Sequence, residues 1–209
     1  MEIILSEDDI NYISEKYPKL KIYDNYILWE ISFWLNYEWF IISDTYSIKI
    51  LLESRDFSFI PKVIELAWRI EDIAKKYNKE LEDVHINNDN TLCLIADVEE
   101  IVYFQDWKFN APVFFESILE PFLYGMTFFE KKGIFPFWER AHWILGLLEM
   151  YSEWKITLEN LFKRDQTKLI EKNMNIKWHH TCLCGSWKNI RSCHPDILKA
   201  FYKIRSHSK

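Results

Sequence analysis

Glycine is scarce in this sequence, with four residues among 209, and proline is little commoner at six. No stretch is of low complexity and no internal repeat can be found. Aromatic residues, by contrast, make up 17% and include ten tryptophans. A chain so built can bury a large core and does not have the composition of a disordered one. Its length suits one good-sized domain plus an appendage. A basic excess is also missing. Lys and Arg total 26 against 32 Asp and Glu, a formal charge of -6, which argues against a general nucleic-acid binder with its usual basic face. No long apolar run stands out. The most apolar region, residues 111–129, is interrupted by Glu116 and Glu120, so no membrane span is expected. The opening residues, Met1-Glu2-Ile3-Ile4-Leu5-Ser6-Glu7-Asp8-Asp9, are acidic and do not read as a secretory leader. Together these absences point to a soluble cytoplasmic protein.

The four cysteines are unevenly placed: Cys93 stands alone, and the other three crowd the C-terminal stretch. Around Cys93 the sequence runs Asp83-Val84-His85-Ile86-Asn87-Asn88-Asp89-Asn90-Thr91-Leu92-Cys93-Leu94-Ile95-Ala96-Asp97. Asn and Asp close turns with their own side chains and tolerate left-handed backbone. Cys93 is therefore expected just after a tight turn, with Leu92 and Leu94 anchored in the core. A thiol on so fixed a backbone can act as a nucleophile, and the Asn87 amide is a candidate donor to an oxyanion beside it. The alternative is a buried structural cysteine at a strand end, since free cysteine is among the most buried residue types.

Elsewhere the pattern predicts elements in a definite order. Ser6 followed by Glu7, Asp8 and Asp9 is a helix start, a cap residue and then acids that suit the helix dipole. That helix should run to about Lys16 and stop before Pro18. Three strand-like runs follow at residues 26–35, 38–43 and 47–53, with polar breaks at Asn36 and at Ser43-Asp44-Thr45. A fourth is expected at residues 62–67. Short breaks between such runs imply an antiparallel meander. Residues 71–79 read as helix or loop, and residues 98–104 as a short helix. A long apolar helix is expected over about residues 113–131, ended by Gly133. A further helical run should begin near Trp138 and continue toward Asn173.

One helix, a four-stranded meander, a cysteine segment and then helices is also the element order of ubiquitin-conjugating enzymes, and the resemblance covers roughly residues 5–152. That family carries His-Pro-Asn, a short turn, an apolar residue, Cys and Leu. Here His85-Ile86-Asn87 and Leu92-Cys93-Leu94 stand in those places, with Ile86 for the proline and a shorter interval from Asn to Cys. Pro61 resembles the prolines before the family's fourth strand, and Trp107 with Pro112 its entry to the helix after the cysteine. The segment Gly133-Ile134-Phe135-Pro136-Phe137-Trp138-Glu139-Arg140-Ala141-His142 is similar to a stretch in bacterial members linked to ubiquitin-like conjugation. Glu139 and His142 are three apart and share a helix face. Either His142 serves the thiol as a proton acceptor held by Glu139, or it is an ordinary helix histidine.

The C-terminal motif reads Cys182-Leu183-Cys184-Gly185-Ser186-Trp187-Lys188-Asn189-Ile190-Arg191-Ser192-Cys193-His194. Cys182, Cys184, Cys193 and His194 supply three thiolates and an imidazole, the donor set of a closed structural zinc site. Gly185 permits the tight turn between the two ends. His179 and His180 are competing ligands of poorer spacing. The spacing resembles the zinc motif at the C-terminus of the SecA translocase, with Trp187 for a usual glycine. A module this small cannot bury a core alone, and zinc would supply the missing stability. Its tail, with Lys199, Lys203, Arg205 and Lys209, is basic and suits docking on the acidic main domain or on an acidic partner.

The expected architecture is thus α+β: a ubiquitin-conjugating-like domain at 5–152, a helical linker at 153–175 and a zinc module at 176–209. The resemblance implies that Cys93 accepts a ubiquitin-like protein from an activating enzyme as a thioester and passes it to an amine of a protein target. Asn87 and His85 or His142 would assist. Asp97, Glu99 and Glu100 would disfavour a thiolate but suit an incoming lysine. The main alternative is a non-catalytic binding module of the same fold, and a third is an adaptor that works through its zinc knuckle.

Overall fold

The computed structural model describes residues 2–54, 59–95, 100–103, 108–136, 177–182, 188–193 and 195–207. The chain divides into two units, residues 1–95 with 103–138 and residues 96–102 with 139–209. It is a mixed α+β protein whose first unit carries a four-stranded antiparallel sheet in the order β1-β2-β3-β4.

Helix α1 (Glu7–Lys16) begins as the cap residue predicts. The Ser6 hydroxyl accepts from the Asp9 backbone N–H at 3.1 Å, and the Asp9 carboxylate accepts in return from the Ser6 N–H at 2.9 Å, a reciprocal capping box. The other oxygen of Asp9 accepts the Ala111 N–H at 2.7 Å. One buried carboxylate therefore ties the start of α1 to the start of the long apolar helix.

The sheet follows: β1 (Lys21–Ile22), β2 (Tyr26–Tyr37), β3 (Phe40–Ser54) and β4 (Pro61–Glu65). Two of the expected runs, 38–43 and 47–53, form the single strand β3, and the short edge strand β1 was not foreseen. Ser43 and Thr45 do not break the strand because they lie on its exposed face, where polar residues alternate with buried Ile42 and Tyr46. Asp44 points inward, where Arg69 and Thr127 satisfy it. The real turn is Glu38-Trp39, with φ of 47° and 69°. A two-residue hairpin of type I′ needs both positive, and Asn-Gly is its usual signal; Glu-Trp hides it. In β2 the alternation slips once. Ile27 and Ile31 are buried but Trp29, of the same parity, has φ of 118° and is exposed.

Helix α2 (Arg69–Tyr77) settles the ambiguous polar stretch, a 3-10 turn (Glu82–Val84) leads to the Cys93 segment, and α3 (Glu100–Tyr103) is the short helix expected beyond it. The long apolar element starts as a π-helical segment (Val113–Leu119), in which the Glu120 N–H donates to Phe115 O, and continues as α4 (Glu120–Lys132). Its first two glutamates lean on α1. Glu116 accepts from Tyr12 and Lys16 at 2.7 and 2.6 Å, and Glu120 accepts from Tyr17 at 2.7 Å. The Lys16 hydrogen bond holds the Glu116 carboxyl below its ordinary range. Gly133 ends α4 in the left-handed conformation, as foreseen.

Between sheet and helices lies the core, including Ile13, Ile31, Ile48, Ile50, Phe114, Phe115 and Tyr124, all essentially inaccessible. In the second unit, α5 (Ile190–Cys193) and α6 (Pro195–His207) follow a small hairpin, and α6 buries Leu198, Phe201 and Ile204 on one face. The helical run from Trp138 toward Asn173 lies outside the described residues. No helix among the described residues is long and apolar enough to cross a membrane.

Candidate functional site

The site is built from the residues between the 3-10 turn and Cys93. Ile86 and Leu92 form an isolated antiparallel bridge, framed by Asn87 N–H to Thr91 O and Cys93 N–H to His85 O, both 2.8 Å. Ile86 and Leu92 are buried, so the miniature ladder is pinned to the core through these two side chains. The Leu92 N–H donates to Val63 O at 2.7 Å, which fastens the ladder to β4 as well. Cys93 sits one step further, directly across from His85, and is a half-buried free thiol. The expected position after a tight turn, flanked by anchored leucines, is what is found: Leu92 is buried and Leu94 packs against the core.

The turn itself is held by side chains. Thr91 is buried, and its hydroxyl donates to Asp89 at 2.6 Å. Asn87 Nδ2 donates to Thr91 O at 2.9 Å and reaches Thr91 Oγ1 at 3.1 Å. A backbone carbonyl can only accept, so the amide nitrogen must face Thr91 and the amide oxygen faces away. The Thr91 N–H completes the set with a 3.2 Å bond to Asp89. Asn90 takes a left-handed conformation with φ of 60°, which its short polar side chain tolerates.

His85 is also left-handed, with φ of 60°, and caps the 3-10 turn. Its ring lies edge-on to two phenylalanines, Phe122 at 6.2 Å and Phe135 at 5.5 Å between centroids. Phe122 comes from α4 and Phe135 from the chain just past Gly133. Neither was singled out from sequence, because the contact is made across the fold and leaves no local pattern. Thr91 did carry a signal: an Asp two residues before a Thr is a side-chain turn motif.

Of the other candidates, Glu139 and His142 lie outside the described residues, as do Asp97 and Glu99. Glu100 opens α3 and is buried. At the C-terminal motif, Thr181 and Asn189 form a bridge, the Cys182 N–H donates to Lys188 O at 2.7 Å and the Ile190 N–H to His180 O at 3.0 Å. Cys182 is thus a buried residue beside the bridge, and Cys193 ends the helical turn that follows; neither is in a disulfide. Cys184 and His194 lie outside the described residues. His179 and His180 are exposed and stack edge-on at 5.0 Å.

The fold and these sites define a mixed α+β protein with a four-stranded antiparallel sheet and a half-buried cysteine on a braced turn. No family model matches the sequence, and neither a curated protein nor a solved structure does.

Proposed function

We propose that the protein is a ubiquitin-conjugating-like transferase that carries a ubiquitin-like protein on Cys93 as a thioester and passes it to an amine. The observation that carries this reading is the ladder that sets a half-buried thiol across from His85, after a meander and ahead of an apolar helix. In the reaction the Cys93 thiolate displaces the carrier from the modifier's C-terminal carbonyl. An amine then attacks that carbonyl, loses a proton, and the thiolate leaves. His85, or His142, would take the proton. Asn87 would serve the oxyanion only if its amide gave up a bond to Thr91. With purified activating enzyme, ATP and a ubiquitin-like protein, wild type should give a thiol-sensitive band on a non-reducing gel. Cys93→Ser should give a thiol-resistant oxyester, and absence of both adducts would refute the assignment.

The engagement of the Asn87 amide by Thr91 favours a second reading, a non-catalytic binding module of this fold. Under it Cys93→Ala would leave partner binding intact. We read the C-terminal motif as a structural zinc site held by Cys182, Cys184, Cys193 and His194. Cys182 beside the Thr181–Asn189 bridge and Cys193 at the end of the helical turn would each supply a thiolate, and zinc there would contribute folding energy. A contact with a protein partner is the natural use of such a module, with nucleic acid disfavoured by the overall charge.

A further inference from the structure

The sheet order leaves β2 with a neighbour along only part of its outer side. β1 is two residues long and reaches no further along β2 than Leu28. From Glu30 to Tyr37 no strand lies on that side among the described residues. Backbone groups point to it at every second residue. The Tyr26 carbonyl does so, since it accepts the Tyr23 N–H at 2.9 Å, and β2 and β3 keep one register from Tyr26 to Tyr37. The same side therefore carries the N–H and C=O of Glu30, Ser32, Trp34 and Asn36. An open edge is ordinarily guarded by lysine, proline, a bulge or shortness. The other edges here are guarded: β1 is short and begins with Lys21, and β4 begins with Pro61 and has its Val63 carbonyl taken by the Leu92 N–H. Residues 30–37 hold no lysine, no proline and no register shift. Trp34 stands among them with 64% of its surface exposed.

We propose that this edge pairs with the same edge of a second copy of the chain, antiparallel about a two-fold axis at Phe33, so that one sheet runs through a dimer. Only this register uses the whole edge. Glu30 then faces Asn36 of the second copy and Ser32 faces its Trp34, and each of the four facing pairs exchanges two hydrogen bonds. Glu38 of the second copy falls opposite Leu28, whose outer side Lys21 already occupies. β1 is thus the stop against which the second hairpin ends, and an acid meets a base there. An axis at Ser32 would drive Asn36 of the second copy into Lys21. An axis at Trp34 would set Glu30 against Glu38 of the second copy, like charge on like. Half-buried Leu35 would meet Ile31 of the second copy on the core side, and the two Trp34 side chains become diagonal neighbours, within reach of each other. A foreign extended peptide could use the same backbone groups, but the stop at Lys21, the charge match and the reciprocal tryptophans belong to this strand's own sequence.

The test is sedimentation equilibrium of the full chain across a dilution series, joined to amide hydrogen exchange resolved by residue. Wild type should dimerise, and protection at the Glu30, Ser32, Trp34 and Asn36 amides should rise with protein concentration. Trp34→Lys, at an exposed position, should keep the monomer's fold and raise the dissociation constant about a hundredfold, since buried tryptophans dominate such contacts. Ser32→Pro removes an outward N–H that no ladder bond of the monomer uses, and should weaken association as well. Ile41→Lys, 57% exposed on β3 and away from the open side, should leave association unchanged. A chain that stays monomeric at every concentration overturns the proposal and leaves the edge to a foreign peptide. So does a dimer whose four edge amides exchange as fast as in dilute solution. A dimer that Ile41→Lys weakens as much as Trp34→Lys also overturns it, because the contact would then lie on the face of the sheet.

Discussion

Asn87 and Thr91 are joined by three bonds, two of them from the amide, and both sit on the chain that delivers Cys93. Removing the amide takes two bonds from a buried threonine, whose carbonyl keeps the Asn87 backbone N–H and whose hydroxyl keeps Asp89, and each such bond is worth about 0.5–1.5 kcal/mol. Asn87→Ala and Thr91→Val should therefore each lower stability in urea by about 1–2 kcal/mol. Because the two side chains share one interaction, the double variant should be less destabilised than the sum, with a coupling of about 1 kcal/mol. Strict additivity would show that the contact stores no energy. The same variants separate the two roles open to Asn87. If the amide braces the turn, Thr91→Val should slow Cys93 chemistry as Asn87→Ala does. If the amide serves an oxyanion, Thr91→Val removes one of its two acceptors and leaves only the Thr91 carbonyl to compete, so transfer should be unharmed. The sequence pointed to Asn87 as a donor to an oxyanion; in the structure its amide donates to Thr91. What it could not supply was the acceptor, since an amide beside a developing charge and an amide beside a threonine read the same.

At the scale of elements, Arg69 at the start of α2 holds β3 and α4 together. Its guanidinium donates to Asp44 at 2.7 Å and to Glu130 at 2.5 and 3.1 Å, and lies 4.5 Å from the Tyr46 ring centre. Burial alone would raise the Asp44 carboxyl, but hydrogen bonds from Arg69, the Thr45 N–H and the Thr127 hydroxyl outweigh it and hold Asp44 below the ordinary carboxylate range. A carboxylate depressed in the folded state adds stability above its unfolded value of about 3.9, and that increment is lost as pH falls through the lower folded value. Asp44→Asn should therefore destabilise the protein at neutral pH and flatten the acid limb of a stability profile below about pH 4. Thermal melts across that range check it, and parallel wild-type and variant curves would refute it. The clasp also explains what was and was not legible. Capping at Ser6, the stop at Gly133 and the apolar helix between were local patterns, and they were read correctly. The continuity of β3 was not, because Ser43-Asp44-Thr45 looks like a break until Arg69, distant in sequence, supplies the partner that lets Asp44 face inward. Glu38-Trp39 hid its turn for a different reason: neither residue favours the left-handed backbone it adopts. Cys93 and its turn were legible because Asn and Asp announce turns by their own chemistry. Phe122 and Phe135 were not, since aromatic residues look alike in sequence wherever they pack.

For the whole molecule the chain offers two units of unlike construction. The described residues of the first carry a sheet, helices α1, α2 and α4 and a continuous apolar core. Within the second, the described C-terminal part is a hairpin, one helical turn and α6, whose buried face comprises Leu198, Phe201 and Ile204 with Ala200 beside them. Ordering such a segment costs about 1–2 kcal/mol per residue, and small modules commonly draw on a metal or a disulfide. Neither Cys182 nor Cys193 is in a disulfide, and under the proposed zinc reading the metal takes that part. Structural zinc supplies on the order of 10–16 kcal/mol in comparable peptides, enough to decide whether the segment is ordered. Purified protein should therefore contain one equivalent of zinc. Treating it with a strong chelator should abolish hydrogen-exchange protection over residues 190–207 while protection over residues 26–65 stays as it was. Cys184→Ser should reproduce the chelator's effect, and Cys93→Ser, placed in the other unit, should not. Protein that carries no stoichiometric metal, or whose protection over 190–207 survives the chelator, would show that this unit is ordered by packing alone.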